Sequence, residues 1–299
     1  PRKGNLVVRY RGRDAGSRPV LFLAHLDVVE ADPTDWTVNP FEFIERDGYY
    51  YGRGTLDDKD EVAIHVANLI RLREEGFVPD RDIIAAFTAD EEGGEHNGVA
   101  WLLANHSDSI DAEFAINEGG GGFLQDGRHV SNNVQASEKV YQSFALEVVN
   151  PGGHSSLPVK DNAIYRLADA LVRIRDYDFP VKLNEVTRTF FERSAALESP
   201  EISAAMRGIL EDVPDPESIE RLATIANYNS RMRTTCVATL LDAGHAENAL
   251  PQRAQAVVNC RILPNDLPAE VRTTLDSIIA DSQVVVTPLA DAKPSPPSP

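Results

Sequence analysis

The chain has 299 residues, 42% hydrophobic and 25% charged, with a formal net charge of −18. That balance is globular and large enough for two domains. It excludes a nucleic-acid surface, which needs clustered Lys and Arg, and no apolar run approaches the roughly 18 residues of a membrane span. Two cysteines, Cys236 and Cys260, are too few for a disulfide framework and leave the redox compartment, and hence the localisation, open. Pro1 stands where a methionine would, and Lys293–Pro299 reads as a linker, so a fragment cut at both ends is expected.

In chain order, Leu6–Tyr10 is predicted as a strand, and Pro19–Ala24 as a buried strand that delivers His25-Leu26-Asp27. Strand alternation puts His25 and Asp27 on one face. A neutral imidazole is a good metal ligand, and a nearby carboxylate can fix its tautomer; a core histidine bonded to its neighbour is the alternative. Beyond Trp36 and Asn39-Pro40-Phe41, a hairpin is predicted to turn at Asp47-Gly48. Tyr49–Tyr51 leads into Gly52-Arg53-Gly54-Thr55-Leu56-Asp57-Asp58-Lys59-Asp60, and apolar spacing predicts a helix from Asp60 to Glu75. Asp57 and Asp58 therefore sit at a strand-to-helix junction, either as ligands or as solvated loop acids.

Asp82–Phe87 is a second buried strand, and it ends in Thr88-Ala89-Asp90-Glu91-Glu92-Gly93-Gly94. Adjacent ionised carboxylates repel, and burying them without a cation is costly. They face solvent or they surround something positive. Gly98–Asn105 reads as a helix and Ala112–Ile116 as a strand ending in Asn117-Glu118 and a glycine run, Gly119–Gly122. With no Lys-Ser/Thr after it, that run is a weak phosphate cradle. Helices between these strands imply a doubly wound α/β sheet, which gathers the strand ends along one edge. His25 and Asp27, Asp57 and Asp58, Glu91 and Glu92, and Glu118 would then share a cleft. One histidine with several carboxylates suits two divalent metals bridged by a carboxylate.

From Ser137 the pattern changes. Tyr141–Val149 alternates as a strand, and Asn162–Ile174 is an amphipathic helix. Thr234–Leu241 and Ala254–Leu263 are strands, Pro268–Ala280 a helix and Val284–Pro288 a last strand. The order β-α-β-β-α-β is that of a ferredoxin-like unit, with an irregular, partly helical insertion between Arg175 and Met232. The expected domains are 1–136, 137–289 and a linker, 290–299. In the second domain His154 follows Gly152-Gly153, Asn248 lies in an exposed turn, and Arg261 ends a strand.

Together these residues resemble the M20 family of metallopeptidases, the aminoacylase/carboxypeptidase family. The resemblance rests on Ala24-His25-Leu26-Asp27-Val28-Val29, Gly52-Arg53-Gly54-Thr55-Leu56-Asp57-Asp58-Lys59, Asp90-Glu91-Glu92-Gly93, Asn117-Glu118-Gly119-Gly120 and Gly152-Gly153-His154-Ser155-Ser156. Asp35-Trp36, Pro40-Phe41 and the Asp47–Lys59 ribbon look most like the carboxypeptidase S and N-acyl-amino-acid hydrolase branch. The resemblance implies a zinc-peptidase-like catalytic domain, incomplete here, with an inserted ferredoxin-like lid that also dimerises the protein. It implies His25, Glu92, Glu118 and a bridging Asp57 as ligands of two Zn²⁺, with Co²⁺ or Mn²⁺ as alternatives. Asp27 would orient His25, Glu91 would be the general base, and His154 would stabilise the tetrahedral intermediate from the lid, often that of a partner chain. Asn248 and Arg261 would bind the substrate's carboxylate, and Asp58 would follow a cis peptide bond. The implied reaction is hydrolysis of an amide bond next to a free carboxylate, in a small peptide or an N-acyl amino acid. Two departures stand out. Asp60 replaces the family's usual glycine, and the family's last metal-binding histidine lies beyond the end of this chain, so an inactive fragment is a further alternative.

Overall fold

The computed structural model describes residues 3–93, 95–292 and 296–298. Gly94 of the acidic turn, Pro1, Arg2, and Lys293, Pro294, Ser295 and Pro299 of the tail lie outside the described residues. The chain divides into two compact units, Pro1–Gly120 and Gly121–Pro299. The division falls inside the glycine run, ahead of residue 136, and leaves the hairpin that follows with the second unit.

Unit 1 contains strands β1 (Leu6–Tyr10) and β2 (Val20–His25), and a hairpin of β3 (Ile44–Arg46) and β4 (Tyr49–Tyr51). Helix α1 (Lys59–Glu74), β5 (Ile83–Thr88), helices α2 (Gly98–Asn105) and α3 (Ser107–Ile110), and β6 (Phe114–Ile116) complete it. The sheet order is β1-β5-β2-β6; β5, β2 and β6 are parallel, and β1 is antiparallel to β5. A parallel strand covered on both faces is apolar throughout. Accordingly Ile84, Ala85, Ala86 and Phe87 of β5 are each no more than 2% exposed. Leu21, Ile84 and Ala86 pack against Leu102 of α2 and Ile110 of α3. On the other face Ala24, Ala85 and Phe87 meet Val62 and Leu69 of α1. The expected turn at Asp47-Gly48 is present, with φ of 53° and 79° at the two residues, the left-handed pair a two-residue hairpin loop requires.

Unit 2 opens with a hairpin, β7 (Gly121–Gln125) and β8 (Arg128–Asn133), then β9 (Val140–Val149), the short β10 (Gly153–His154) and α4 (Ala163–Arg175). Four helices follow, α5 (Glu185–Ser194), α6 (Pro200–Gly208), α7 (Pro216–Ala223) and α8 (Ala226–Met232). The unit ends with β11 (Thr235–Ala243), β12 (Ala249–Leu250), β13 (Arg253–Ile262), α9 (Pro268–Ile279) and β14 (Val284–Pro288). Strands β11-β13-β9-β14 form one antiparallel sheet in that order. Helices α4 and α9 cover one face, where Phe144, Leu146, Val148 and Val258 meet Leu167, Ile174, Val271 and Leu275. Asn162 starts α4 by accepting the Ile164 N–H at 2.8 Å, which satisfies a donor the helix itself leaves free. Cys236 and Cys260, directly opposite on β11 and β13, form a disulfide.

The insertion expected to be irregular and partly helical folds as α5–α8 around a separate core of Phe191, Met206, Ile209, Leu222 and Met232. The half-buried Lys139 ties its end to the sheet, donating to Ser230 O at 2.9 Å, Arg233 O at 2.8 Å and Thr235 Oγ1 at 3.1 Å. Leu146 is fully buried in the main core. Leu146→Ala is expected to cost about 2–5 kcal/mol, read as a lower urea midpoint at unchanged slope. A loss under about 1 kcal/mol would mean that the site collapses onto the cavity.

Candidate metal centre

Neighbouring parallel strands deliver the chemistry. His25 closes β2 and lies opposite Thr88, the last residue of β5, and the Leu26 N–H donates to Thr88 O at 2.8 Å. The loops carrying Asp27 and Glu91-Glu92 therefore leave the sheet side by side, at the carboxyl ends where open α/β sheets place ligands. The first acid of the triplet goes elsewhere: Asp90, at φ 68°, is engaged by the Lys3 ammonium and accepts the His96 N–H at 2.7 Å. Glu118 follows β6 on the other side of β2. From a separate direction, α1 presents Asp57 and Asp58 at its N-terminus, joined by a cis peptide bond. Asp58 occupies the N-cap position but does not cap. Its carboxylate accepts the backbone N–H of His25 at 3.0 Å instead.

The imidazole of His25 is 3% exposed and centres the group. Its Nε2 lies 2.9 Å from Asp57 Oδ1, 3.9 Å from Glu118 Oε2 and 4.0 Å from Glu91 Oε2. Its Nδ1 is 3.1 Å from the backbone oxygen of Asp27 and 3.6 Å from that residue's carboxylate. The peptide oxygen, closer than the side chain, is the nearer partner for the ring. Asp27 Oδ2 accepts the Glu92 N–H at 3.0 Å, while its buried Oδ1 has no partner among the described residues. Donor atoms of His25, Asp57 and Glu92, and of His25, Asp58 and Glu118, lie within 4.8 Å of one another. Asp58, 1% exposed, is the junction acid that the ligand set implied by the family resemblance omits.

So many acids in one place strain their own ionisation. Burial pushes the carboxyls of Asp58 and Glu91 above the ordinary range. Glu118 is pushed up to about 7, first by burial and then by the charge of Asp58. Burial opposes charge on His25, but the bond to Asp57 and the charges of Glu118 and Glu91 outweigh it and raise its pKa. An imidazole, converging carboxylates and an orphaned buried oxygen are a donor set that lacks positive charge. They fit a divalent cation.

The same strain makes a prediction for metal-free protein. Folded Glu118 holds its proton up to about pH 7, whereas the unfolded residue releases it near 4.5. The folded state then binds more protons in that window, so stability from this residue falls as pH rises. In chelator, the melting temperature of Glu118→Gln relative to wild type is expected to climb between pH 4.5 and 7. A difference independent of pH would remove Glu118 from the charged cluster.

The remaining candidates belong to unit 2. His154 of β10 pairs with Ala249 of β12, and the Ser155 N–H donates to Asn248 O at 3.0 Å. His154 and Asn248 thus share one small ribbon, which sequence reasoning had treated as two turns. Gly152 carries φ 75° and a Cβ there would lie 2.5 Å from Gln252 Cγ, so the turn into His154 needs glycine. His154 Nδ1 accepts the Ser156 N–H at 3.2 Å and lies 2.8 Å from Ser156 Oγ. In the neutral ring this places the proton on Nε2, which is exposed. Arg261, on the face of the sheet opposite α4 and α9, stacks its guanidinium over Tyr141 at 4.7 Å.

This site and fold define a class. The chain belongs to peptidase family M20/M25/M40, whose pattern matches residues 21–274, and members of that family are typically metal-dependent hydrolases. Its relatives include the human N-fatty-acyl-amino acid synthase/hydrolase PM20D1, 32% identical over 97% of this chain and 58% of that protein. Another is "Probable carboxypeptidase S-like 2" of Dictyostelium discoideum, 31% identical over 96% of this chain and 56% of that one. The chain thus spans a little under three fifths of the length of these relatives. The fold matches the M20 family metallo-carboxypeptidase Sso-CP2 of Sulfolobus solfataricus, with a TM-score of 0.62 at 20% identity over 95% of this chain and 68% of the other. Human carnosine dipeptidase 1 gives a TM-score of 0.58 at 19% identity, over 95% and 63% of the two chains. Among the described residues no helix is long and apolar enough to cross a membrane.

Proposed function

We propose that the chain carries most of the machinery of a metal-dependent hydrolase that cuts an amide bond next to a free carboxylate, of dipeptidase or carboxypeptidase type. One observation carries the reading: two groups of donors from distant parts of the chain, Asp57 with Glu92 and Asp58 with Glu118, meet at His25, and Glu91 lies at their edge, 4.0 Å from the His25 Nε2. A second reading, hydrolysis of N-acyl amino acids, is favoured by the 32% identity to a protein named for that substrate.

In this proposal residues 1–136 are the N-terminal part of the catalytic domain, 137–289 a ferredoxin-like lid and dimerisation domain, and 290–299 a linker. The strand order β11-β13-β9-β14 with two helices on one face supports the lid assignment. His25, Glu92, Glu118 and a bridging Asp57 would hold two Zn²⁺, with Asp27 orienting His25. When bound, such ions polarise the scissile carbonyl and lower the pKa of water from 15.7 to roughly 7. Glu91, whose carboxyl is already raised by burial, takes the proton of the attacking water and hands it to the leaving amine. His154 donates its Nε2 proton to the developing oxyanion, from the same chain or from the partner of a homodimer. Asn248 and Arg261 receive the substrate's carboxylate, Arg261 through its planar fork. The test uses the full-length enzyme with zinc, given an N-acetyl amino acid and a dipeptide with the same C-terminal residue. Cleavage of either that chelator abolishes supports the proposal and ranks the two readings; cleavage of neither, with metal bound, overturns it.

A further inference from the structure

The open face of the sheet in unit 2 is laid out differently around its two arginines. Arg253 is neutralised, its guanidinium 2.6 Å from Glu147 Oε2. Arg261, on the same strand, has an aromatic ring against it instead. Tyr141 stands directly opposite Arg261 in the β9–β13 register, and the guanidinium carbon lies 4.7 Å from the ring centroid. Among the described residues no carboxylate pairs with Arg261. Its charge is held from the side, with its N–H donors left for something else.

The ring is itself held. On the same face, Asn259 Nδ2 donates to Ser143 Oγ at 3.0 Å, and Ser143 Oγ donates to Tyr141 Oη at 3.4 Å. Asn259 and Ser143 are a cross-strand pair, and Ser143 is two residues from Tyr141, so the register alone places this chain of contacts. Tyr141 is 58% exposed, and a core role does not account for it. A free arginine side chain samples many rotamers, and ordering it on binding costs affinity. Stacking on a fixed aromatic face removes part of that cost before the substrate arrives.

We propose that Tyr141 is a positioning residue, which holds Arg261 ready for the substrate's carboxylate. The proposal rests on the reading that Arg261 binds that carboxylate. It is tested on the full-length enzyme with an N-acetyl amino acid and the same compound carrying a carboxamide. Tyr141→Leu should raise KM for the free acid about 3–5-fold, the affinity equivalent of an exposed cation–π contact, while kcat and the handling of the carboxamide stay put. Tyr141→Phe, which keeps the ring but loses the hydroxyl that Ser143 meets, should fall between wild type and Tyr141→Leu. In an Arg261→Ala background Tyr141→Leu should add nothing. The same comparison by calorimetry, on protein also carrying Glu91→Gln, reads the affinity for each compound without turnover.

An equal loss on acid and carboxamide, or a Tyr141→Leu effect that persists without Arg261, would overturn the positioning role. If Arg261→Ala itself leaves the affinity for the free acid unchanged, the carboxylate reading falls first, and the role of Tyr141 with it.

Discussion

Glu91→Gln is expected to keep the metal content of the wild-type enzyme and to lose hydrolysis by about 10²–10⁴-fold or more, the usual worth of a positioned general base. The amide keeps the shape of the side chain and loses the proton acceptor. Glu91 Oε2 lies 4.0 Å from His25 Nε2, at the edge of the donor group, and neither set of converging donors includes it. Its side chain is 43% exposed, open enough to meet a substrate and a water. Elemental analysis and turnover on one preparation decide the matter. Loss of metal would exchange the roles of Glu91 and Glu92, and retention of most activity would end the assignment.

Asp57→Ala is the second large effect. One bridging carboxylate offsets the charge of two cations, so both metals should be lost together. Asp57 Oδ1 is the closest side-chain oxygen to His25 Nε2, at 2.9 Å, yet the histidine, not Asp57, is common to the two sets of converging donors. Those sets divide the adjacent acids, Asp57 with Glu92 and Asp58 with Glu118. The titration is therefore informative in either direction. Two ions lost at once would make Asp57 the bridge, whereas one ion kept at full occupancy would make it terminal and move the question to Asp58→Ala.

Much of this architecture is legible in the sequence, for reasons that differ by element. β5 is legible because a strand buried on both faces must be apolar at every position. β9 is legible because burial on one face imposes alternation, seen in Phe144, Leu146 and Val148. The clustering of the acids follows from their positions after parallel strands. Other features depend on partners far away in sequence. Nothing local separates Asp90 from Glu91 and Glu92; Lys3 does so, 87 residues earlier. Asp58 is drawn from its cap by a backbone N–H 33 residues away. The β7–β8 hairpin did carry a signal, Asp126-Gly127 with both residues at positive φ, but its strands open on Gly121-Gly122 and close on Asn132-Asn133 and do not alternate apolar with polar residues. The pairing of β10 with β12 spans two residues on each side, too short for any pattern.

The two apolar cores of unit 2 share no residue. To the sheet, everything from α5 to α8 is a single long connection that happens to be folded. Closing a connection costs entropy only with the logarithm of its length, about 0.6 kcal/mol for each doubling. Away from the end of α8 that Lys139 holds, changes of length in these helices therefore cost the strands that carry Arg261 little. A protein arranged this way can acquire a new outer surface by rewriting one contiguous stretch of chain, while the sheet beneath is inherited untouched.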